Sequence, residues 1–457
     1  MFNKHCSHLR HNMRVSTADA TSFGMMVGVG ETYLPAFALA IGLGEVTAGL
    51  VGSLPLLIGG LLQAVSPWIL QRGVSEKVWV VSASILQGCA FVPLMFAAMV
   101  GQMPGWGLML CASMYWAGGL AGGPAWNSWI DKLIPKPVRA NFFAGRSRAA
   151  QLATASGFLL AGALLQWSKS GAWETQAFAI LFALAWLARN YSVYMLVRHR
   201  TPDSKPLRKL ISLPAAVPPT GMLQSPAGLR VVSPRTLIMY LALTQGMIQV
   251  SGPFYTPYML KHLDMSYLGF AVLIATMFTA KIVALASWGQ FAKRQGAQWL
   301  LMIGGALIIP APALWILSSN YAWLMMVQTL SGIGWAAYEL GFFLLLFDSV
   351  PIVRRVRLLT IYNLANTTAW CGGAAVGAWI LYQLAATPSA YYTLFALSAI
   401  GRGLAYCFLL THCGSAAYLL RQRSLSMLRI PLVRRRTASV QTPIESPTIQ
   451  LSEELAA

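Results

Sequence analysis

Three charged side chains stand inside apolar runs long enough to cross a bilayer. Glu31 lies in GVGETYLPAF, Lys281 in TMFTAKIVAL and Glu339 in GWAAYELGFF. A charge at the centre of a membrane helix costs roughly 3 kcal/mol or more, so each needs a partner or a function. A carboxyl taken out of water favours its neutral, protonated form. If water reaches it alternately from two sides of a membrane, it can take a proton on one side and release it on the other. It can equally accept a hydrogen bond from a solute hydroxyl or amine. Glu31 has no obvious partner at its depth and is the candidate for that chemistry. The plainer alternative is a neutral glutamic acid bonded to a backbone carbonyl. Lys281 and Glu339 fall at similar depth and could form a salt bridge. Such a bridge either neutralises two costly charges or serves as a gate or coupling pair.

The elements that must position these residues follow from composition. The chain has 457 residues, 56% hydrophobic and only 10% charged, with a mean hydropathy of +0.58. A soluble domain carries about 25% charged residues, so an integral membrane protein is expected. A spanning helix needs ~20 mostly apolar residues. Twelve such segments are predicted, near 18–42, 48–70, 78–100, 106–128, 146–167, 173–197, 236–260, 267–287, 298–318, 321–346, 358–384 and 390–413. They divide the chain into an N-terminal segment (1–17), a six-helix bundle (18–197), a basic, Pro-rich linker (198–235), a second six-helix bundle (236–413) and a basic, disordered tail (414–457). Segment length excludes a barrel, whose strands need only ~10 residues. None of the six cysteines forms a CxxC pair, and neither a disulfide framework nor a metal site is expected. The N-terminus lacks the short apolar core and cleavage site of a signal peptide.

The net charge of +20 would suit nucleic acid if it were spread over the chain. It is not. With the N-terminus placed in the cytoplasm, 28 of the 33 Lys and Arg fall in cytoplasmic segments, and only Lys169 and Lys261 in outer loops. This bias sets orientation. Both termini are expected in the cytoplasm of a multi-pass inner-membrane protein, with anionic lipid at that face and no nucleic-acid partner.

The chain also repeats itself. GMMVGVGETYLPAF from Gly24 matches GMIQVSGPFYTPYM from Gly246, aligning Gly24/Gly246, Met25/Met247, Gly30/Gly252, Tyr33/Tyr255 and Pro35/Pro257. FALAWLAR, ending at Arg189, matches FALSAIGR, ending at Arg402. DKLIPKPVR matches DSVPIVRR, and helices five and eleven each carry Gly-x4-Gly. A duplicated six-helix unit is expected. Two such halves joined by a cytoplasmic linker resemble the major facilitator superfamily of secondary transporters, over about 18–413. WNSWIDKLIPKPVRANFFAGR (126–146) resembles the loop between helices four and five in bacterial permeases of this class. The family's Gly-rich Asp-Arg-x-Gly-Arg signature is eroded here to SPWILQRGVSEK, with Arg72 and Gly73 kept and the Asp lost. Its echo, WGQFAKRQGAQ, keeps Arg294.

The resemblance implies that helices one, four, seven and ten line a central cavity. Glu31 and Glu339 then sit on cavity helices. Tyr33, Gln245, Gln249, Tyr255, Trp126, Asn127, Trp335 and Tyr338 are candidates to extend a substrate or proton site with Glu31, Lys281 and Glu339. Each taken singly reads first as a packing residue or interfacial anchor. The resemblance also implies a cytoplasmic latch among Arg72, Asp131, Arg139, Arg294, Asp348 and Arg355. A charge present in only one half is the better functional candidate: Glu31 aligns with Pro253, and Glu339 and Lys281 align approximately with Gly123 and Gly59. Arg189 and Arg402 are counterparts. They are expected to be structural, with long stems that carry their heads toward the lipid headgroups.

The function expected is secondary transport of a small organic solute by a monomer working through alternating access, with proton coupling favoured over sodium. Alternatives are an efflux carrier for amphiphiles and a non-transporting sensor on the same fold. No Walker pattern, HExxH or nucleophile elbow occurs, so neither enzyme activity nor a cofactor is expected.

Overall fold

The computed structural model describes residues 2–200, 233–348 and 352–412. The linker from 201 and the tail from 413 lie outside them. Within them the chain forms twelve helical spans and no strand. Spans 1 to 3 cover 2–40, 45–71 and 76–100. Spans 4 to 6 are Gly105–Leu133, Lys136–Ser170 and Glu174–Arg198. Span 7 covers 234–262. Spans 8 to 12 are Tyr267–Gln295, Ala297–Leu317, Tyr321–Asp348, Ile352–Gln383 and Pro388–His412. Eight contain a described window apolar enough to cross a membrane by length and composition. The other four are spans 4, 7, 10 and 11.

The halves repeat their packing. Span 1 packs on spans 5 and 6, as span 7 packs on spans 11 and 12. Spans 2 and 3 both pack on span 4, as spans 8 and 9 both pack on span 10. Spans 5 and 8 join the halves on one side, and spans 2 and 11 join them on the other. The outward faces carry exposed apolar side chains such as Leu61, Leu160, Val283 and Leu404, as contact with lipid tails requires.

Backbone breaks repeat as well. Proline has no N–H and clashes with the carbonyl four residues back. Pro35 therefore frees the carbonyl of Glu31, and Pro257 frees that of Pro253. In both halves the chain answers with a 3-10 turn, at Glu31–Tyr33 and at Gly252–Phe254. The Thr32 hydroxyl donates to the Gly28 carbonyl at 2.8 Å and so satisfies backbone beside the first break. Span 7 then continues as a π turn over Tyr258–His262.

Span 1 begins earlier than position 18: the helix runs from Phe2. Its first part is tied to the end of span 6. The Asn12 amide nitrogen donates to the Arg200 carbonyl at 3.0 Å, and the Arg200 N–H donates back to the Asn12 amide oxygen at 3.0 Å.

Candidate functional site

Glu31 opens the 3-10 turn of span 1 and is half-buried. Its partner comes from span 4: the Tyr115 hydroxyl donates to Glu31 Oε2. Tyr115 itself is 1% exposed. It reaches this place because span 4 lies tight on span 3. A Cβ at Gly118 would fall 2.5 Å from the Ala83 carbonyl oxygen, so only glycine permits that approach. Gln87, on span 3, is buried and lies against span 4 at Gly118 and Gly119.

A buried polar cluster lies on the terminal side of Glu31, and sequence reasoning missed its centre. Asp19 is 4% exposed. Its Oδ2 pairs with Arg146 of span 5 at 3.1 Å, and its Oδ1 accepts from Ser192 of span 6 at 2.7 Å. Ser192 in turn accepts from Arg189 at 2.8 Å, and Arg189 also donates to Ser84 of span 3 at 2.9 Å. Arg146 lies over the Trp126 ring at 4.3 Å and donates to Ser16. The position of Asp19 hid it: at the edge of the apolar run of span 1, an acid reads as a loop residue. His199, at the end of span 6, is 2% exposed against Trp129. Burial pushes its pKa down, while Asp19 pulls it up.

The paired arginines correct one expectation. Neither head reaches the headgroups. Arg189 is 6% and Arg402 4% exposed. Hydrogen-bond partners inside each bundle hold them, because a guanidinium within reach of fixed acceptors gains more than one stretched to a distant interface. Arg402 donates to the Ile308 carbonyl at 2.9 Å, facing Tyr255 and Tyr338.

The sequence profile of the Major Facilitator Superfamily matches residues 117–374, more than half of the chain. The chain belongs to the Major Facilitator Superfamily. Solved structures agree on the fold. A bacterial homologue of the iron transporter ferroportin, in its inward-facing state, superposes with a TM-score of 0.64 at 14% identity, over 90% of this chain and 99% of that one. Its outward-facing state gives 0.56 at 17% identity, over 89% and 100%. A D-xylose–proton symporter gives 0.62 at 14% identity, over 88% and 98%. No curated protein matches the sequence. The chain is thus a multi-pass membrane protein of a secondary-transporter family.

The transporter distributes its other candidates unevenly. Lys281 Nζ and Glu339 Oε2 pair at 2.6 Å across spans 8 and 10, both partly exposed. Gln245, Tyr255 and Trp335 are half-buried, whereas Gln249 and Tyr338 are buried. Tyr255 stacks on Phe395, with centroids 4.8 Å apart. Tyr33 is fully buried and donates to the Phe158 carbonyl at 2.8 Å, which makes it a tie between spans 1 and 5. Asn127 is exposed. Of the latch candidates, Arg72 is exposed and stacked over Trp68, and Arg294 is exposed. The side chains of Asp131, Arg139, Asp348 and Arg355 lie outside the described residues.

The halves meet on the face away from the termini. Glu45, which opens span 2, accepts from the Tyr391 hydroxyl and pairs with His262 at 3.0 Å. The Tyr267 hydroxyl donates to Glu174 at 2.5 Å, and the Tyr267 N–H donates to Gln166 at 3.1 Å. Apart from these contacts, a groove of about 850 Å³ runs between spans 5, 8 and 10, lined by Leu159, Val272, Thr276, Val283, Trp288 and Ile333 among others. It is apolar, and Glu31 does not line it.

Proposed function

We propose that this transporter carries a small organic solute across the cytoplasmic membrane by alternating access, with a proton or the solute itself engaging Glu31. The observation that carries the reading is the placement of Glu31. A carboxyl found in only one half stands at a helix break, half-buried, held by a tyrosine hydroxyl. Breaks of this kind are tolerated at membrane depth where the backbone faces protein or a water-filled cavity. The Lys and Arg bias supports a cytoplasmic position for both termini. The face joined through Glu45, His262, Tyr391 and Tyr267 is then the outer one. A carrier closed outside and open inside fits the better superposition on the inward-facing homologue.

The test is a thermal-shift screen of the purified transporter in detergent against sugars, organic acids, amino acids, nucleosides and cationic drugs, at two pH values, beside Glu31→Gln. A compound that stabilises the wild type and not the variant supports the reading and names the solute for flux assays. A compound that stabilises both equally, and is then carried by both at one rate and one pH dependence, contradicts it. The second reading, efflux of amphiphiles, is favoured by the apolar groove between spans 5, 8 and 10. It predicts that the stabilising compounds are lipophilic and that Thr276→Trp, which fills the groove, abolishes their effect.

A further inference from the structure

Spans 5 and 6 both pack on span 1 and touch each other little. Near the N-terminal end of span 1 they leave a crevice of about 740 Å³ between them. Its floor is one stripe of span 1, formed by Arg14, Thr17, Thr21 and Ser22, at the spacing of neighbours on one helix face. Arg146 of span 5 stands on one side and Tyr191 of span 6 on the other. The crevice faces away from the bundle. Arg189 reaches inward to Ser84 of span 3, and Tyr191, two residues on, is turned from it by about 200°. Tyr191 is 49% exposed, and Arg14 and Thr21 are exposed as well. The crevice also straddles the edge of the apolar run of span 1, which starts near position 18. Tyr191 and Tyr194 form an exposed ring pair there, with centroids 6.3 Å apart, as tyrosines do at the depth of lipid headgroups.

Cations and hydroxyls line the crevice, and no acid does. Arg146 spends its charge on Asp19 at 3.1 Å. Arg14 has no ion pair or hydrogen bond among the described residues. Thr17 and Thr21 give their hydroxyl hydrogens to the carbonyls of Met13, at 3.0 Å, and of Thr17, at 2.9 Å. The hydroxyls of Ser22 and Tyr191 have no such acceptor among the described residues. One guanidinium and two hydroxyls are thus left as donors, and an ionised phosphate, which only accepts, suits them. We infer that this crevice holds the phosphate of an anionic phospholipid, with Arg14 as its counter-ion. The acyl chains run along the face that Tyr191 continues, past the exposed Leu187 and Leu184. The other half shows what an ordinary lipid-facing stripe looks like. At the offset that pairs Gly24 with Gly246, Arg14, Thr17 and Thr21 align with Thr236, Met239 and Leu243. At the offset that pairs Arg189 with Arg402, Tyr191 aligns with Leu404. Met239, Leu243 and Leu404 are exposed apolar residues. Duplication left one face apolar and made the other a basic, hydroxyl-bearing crevice, which bulk lipid tails do not need. The inference is a discrete site, beyond the diffuse attraction of a basic surface, and it uses neither Glu31 nor a solute.

The test adds short-chain phosphatidylglycerol to the full-length protein in detergent. Phosphatidylcholine of the same chains and inorganic phosphate serve as comparisons. Native mass spectra read how much lipid stays bound, and melting temperatures read what it does. Phosphatidylglycerol should be retained and should raise the melting temperature. Phosphatidylcholine, whose cation would lie beside Arg14, and free phosphate, which lacks the chains, should do neither. Arg14→Gln should weaken retention of phosphatidylglycerol about tenfold, as loss of one charged hydrogen-bonding partner does. Arg14 is exposed and unpaired, so its removal breaks no contact within the fold. Arg235→Gln removes an exposed arginine at the start of span 7 and should leave retention unchanged. Equal retention of the two lipids overturns the inference, as does full retention by Arg14→Gln. An equal loss in Arg235→Gln assigns the effect to overall charge and overturns the discrete site. Stabilisation by phosphate alone, at the level reached with phosphatidylglycerol, assigns the crevice to a soluble anion and overturns the lipid.

Discussion

The two halves place an arginine at matching positions and surround it differently. Arg189 lies in a polar cluster with Ser84, Ser192, Asp19 and Arg146. Arg402 rests on one backbone carbonyl among tyrosines, with no carboxylate paired to it among the described residues. Duplication preserved the proline breaks, the packing order and the arginines. It did not preserve the acids: Asp19 aligns with Leu241 and Glu31 with Pro253. The N-terminal half holds the acids Asp19 and Glu31 inside its bundle. The C-terminal half holds aromatic and amide surface, with Tyr255, Trp315, Tyr258 and Phe395 in ring contact. Its charge pair inside the bundle is Lys281 with Glu339. The contrast points to proton chemistry in one half and solute contacts in the other.

The largest effect should come from Glu31→Gln, which keeps size and removes the titratable group. Solute uptake into proteoliposomes should fall about tenfold or more and lose its dependence on pH, as loss of a positioned acid–base group does. Next comes the contrast between the arginines. Asp19→Asn leaves Arg146 and Arg189 without a carboxylate and should cost about 3–5 kcal/mol, the usual cost of breaking a buried pair. Arg402→Met removes one hydrogen bond and one buried charge, so its net cost should stay near 1 kcal/mol. Melting temperatures in one detergent check the order, and equal losses would break the comparison.

These expectations show how far the sequence could be read. The twelve spans, the duplication and the pairing of Lys281 with Glu339 were legible, because apolar length, repeated Gly and Pro, and isolated charges are local signals. Tyr115 as the partner of Glu31 was not. The two are 84 positions apart, and a tyrosine in an apolar span reads as packing until the helix beside it is known. Tyr33, a candidate as a hydroxyl-bearing aromatic on a cavity helix, is a fully buried tie to Phe158. Repetition marks what both halves need, which is more often scaffold than chemistry. The cluster of Asp19, Arg146, Arg189 and Ser192 was hidden for the same reason as Tyr115, since its members come from three separate spans.

A smaller effect tests the joint between the halves. Glu45→Ala removes the acceptor shared by His262 and Tyr391 and should loosen the outer face. Without those two interactions the closed form should be weaker by about 1–3 kcal/mol, enough to raise the outward-open fraction about tenfold. A cysteine placed at Ala48 should then react faster with a membrane-impermeant thiol reagent than the same cysteine in the otherwise wild-type chain. The smallest effect belongs to Lys281→Met. Its pair is partly exposed, so stability should fall by less than about 1 kcal/mol. If the pair is a gate, exchanging the two charges should restore the flux that Lys281→Met loses.

The most direct test follows protons. Proteoliposomes loaded with a pH-sensitive dye receive the solute found in the thermal-shift screen, with no imposed pH gradient. The account predicts that solute moves protons across the membrane in the wild type and that Glu31→Gln moves none. Proton movement by Glu31→Gln at the wild-type rate would contradict it.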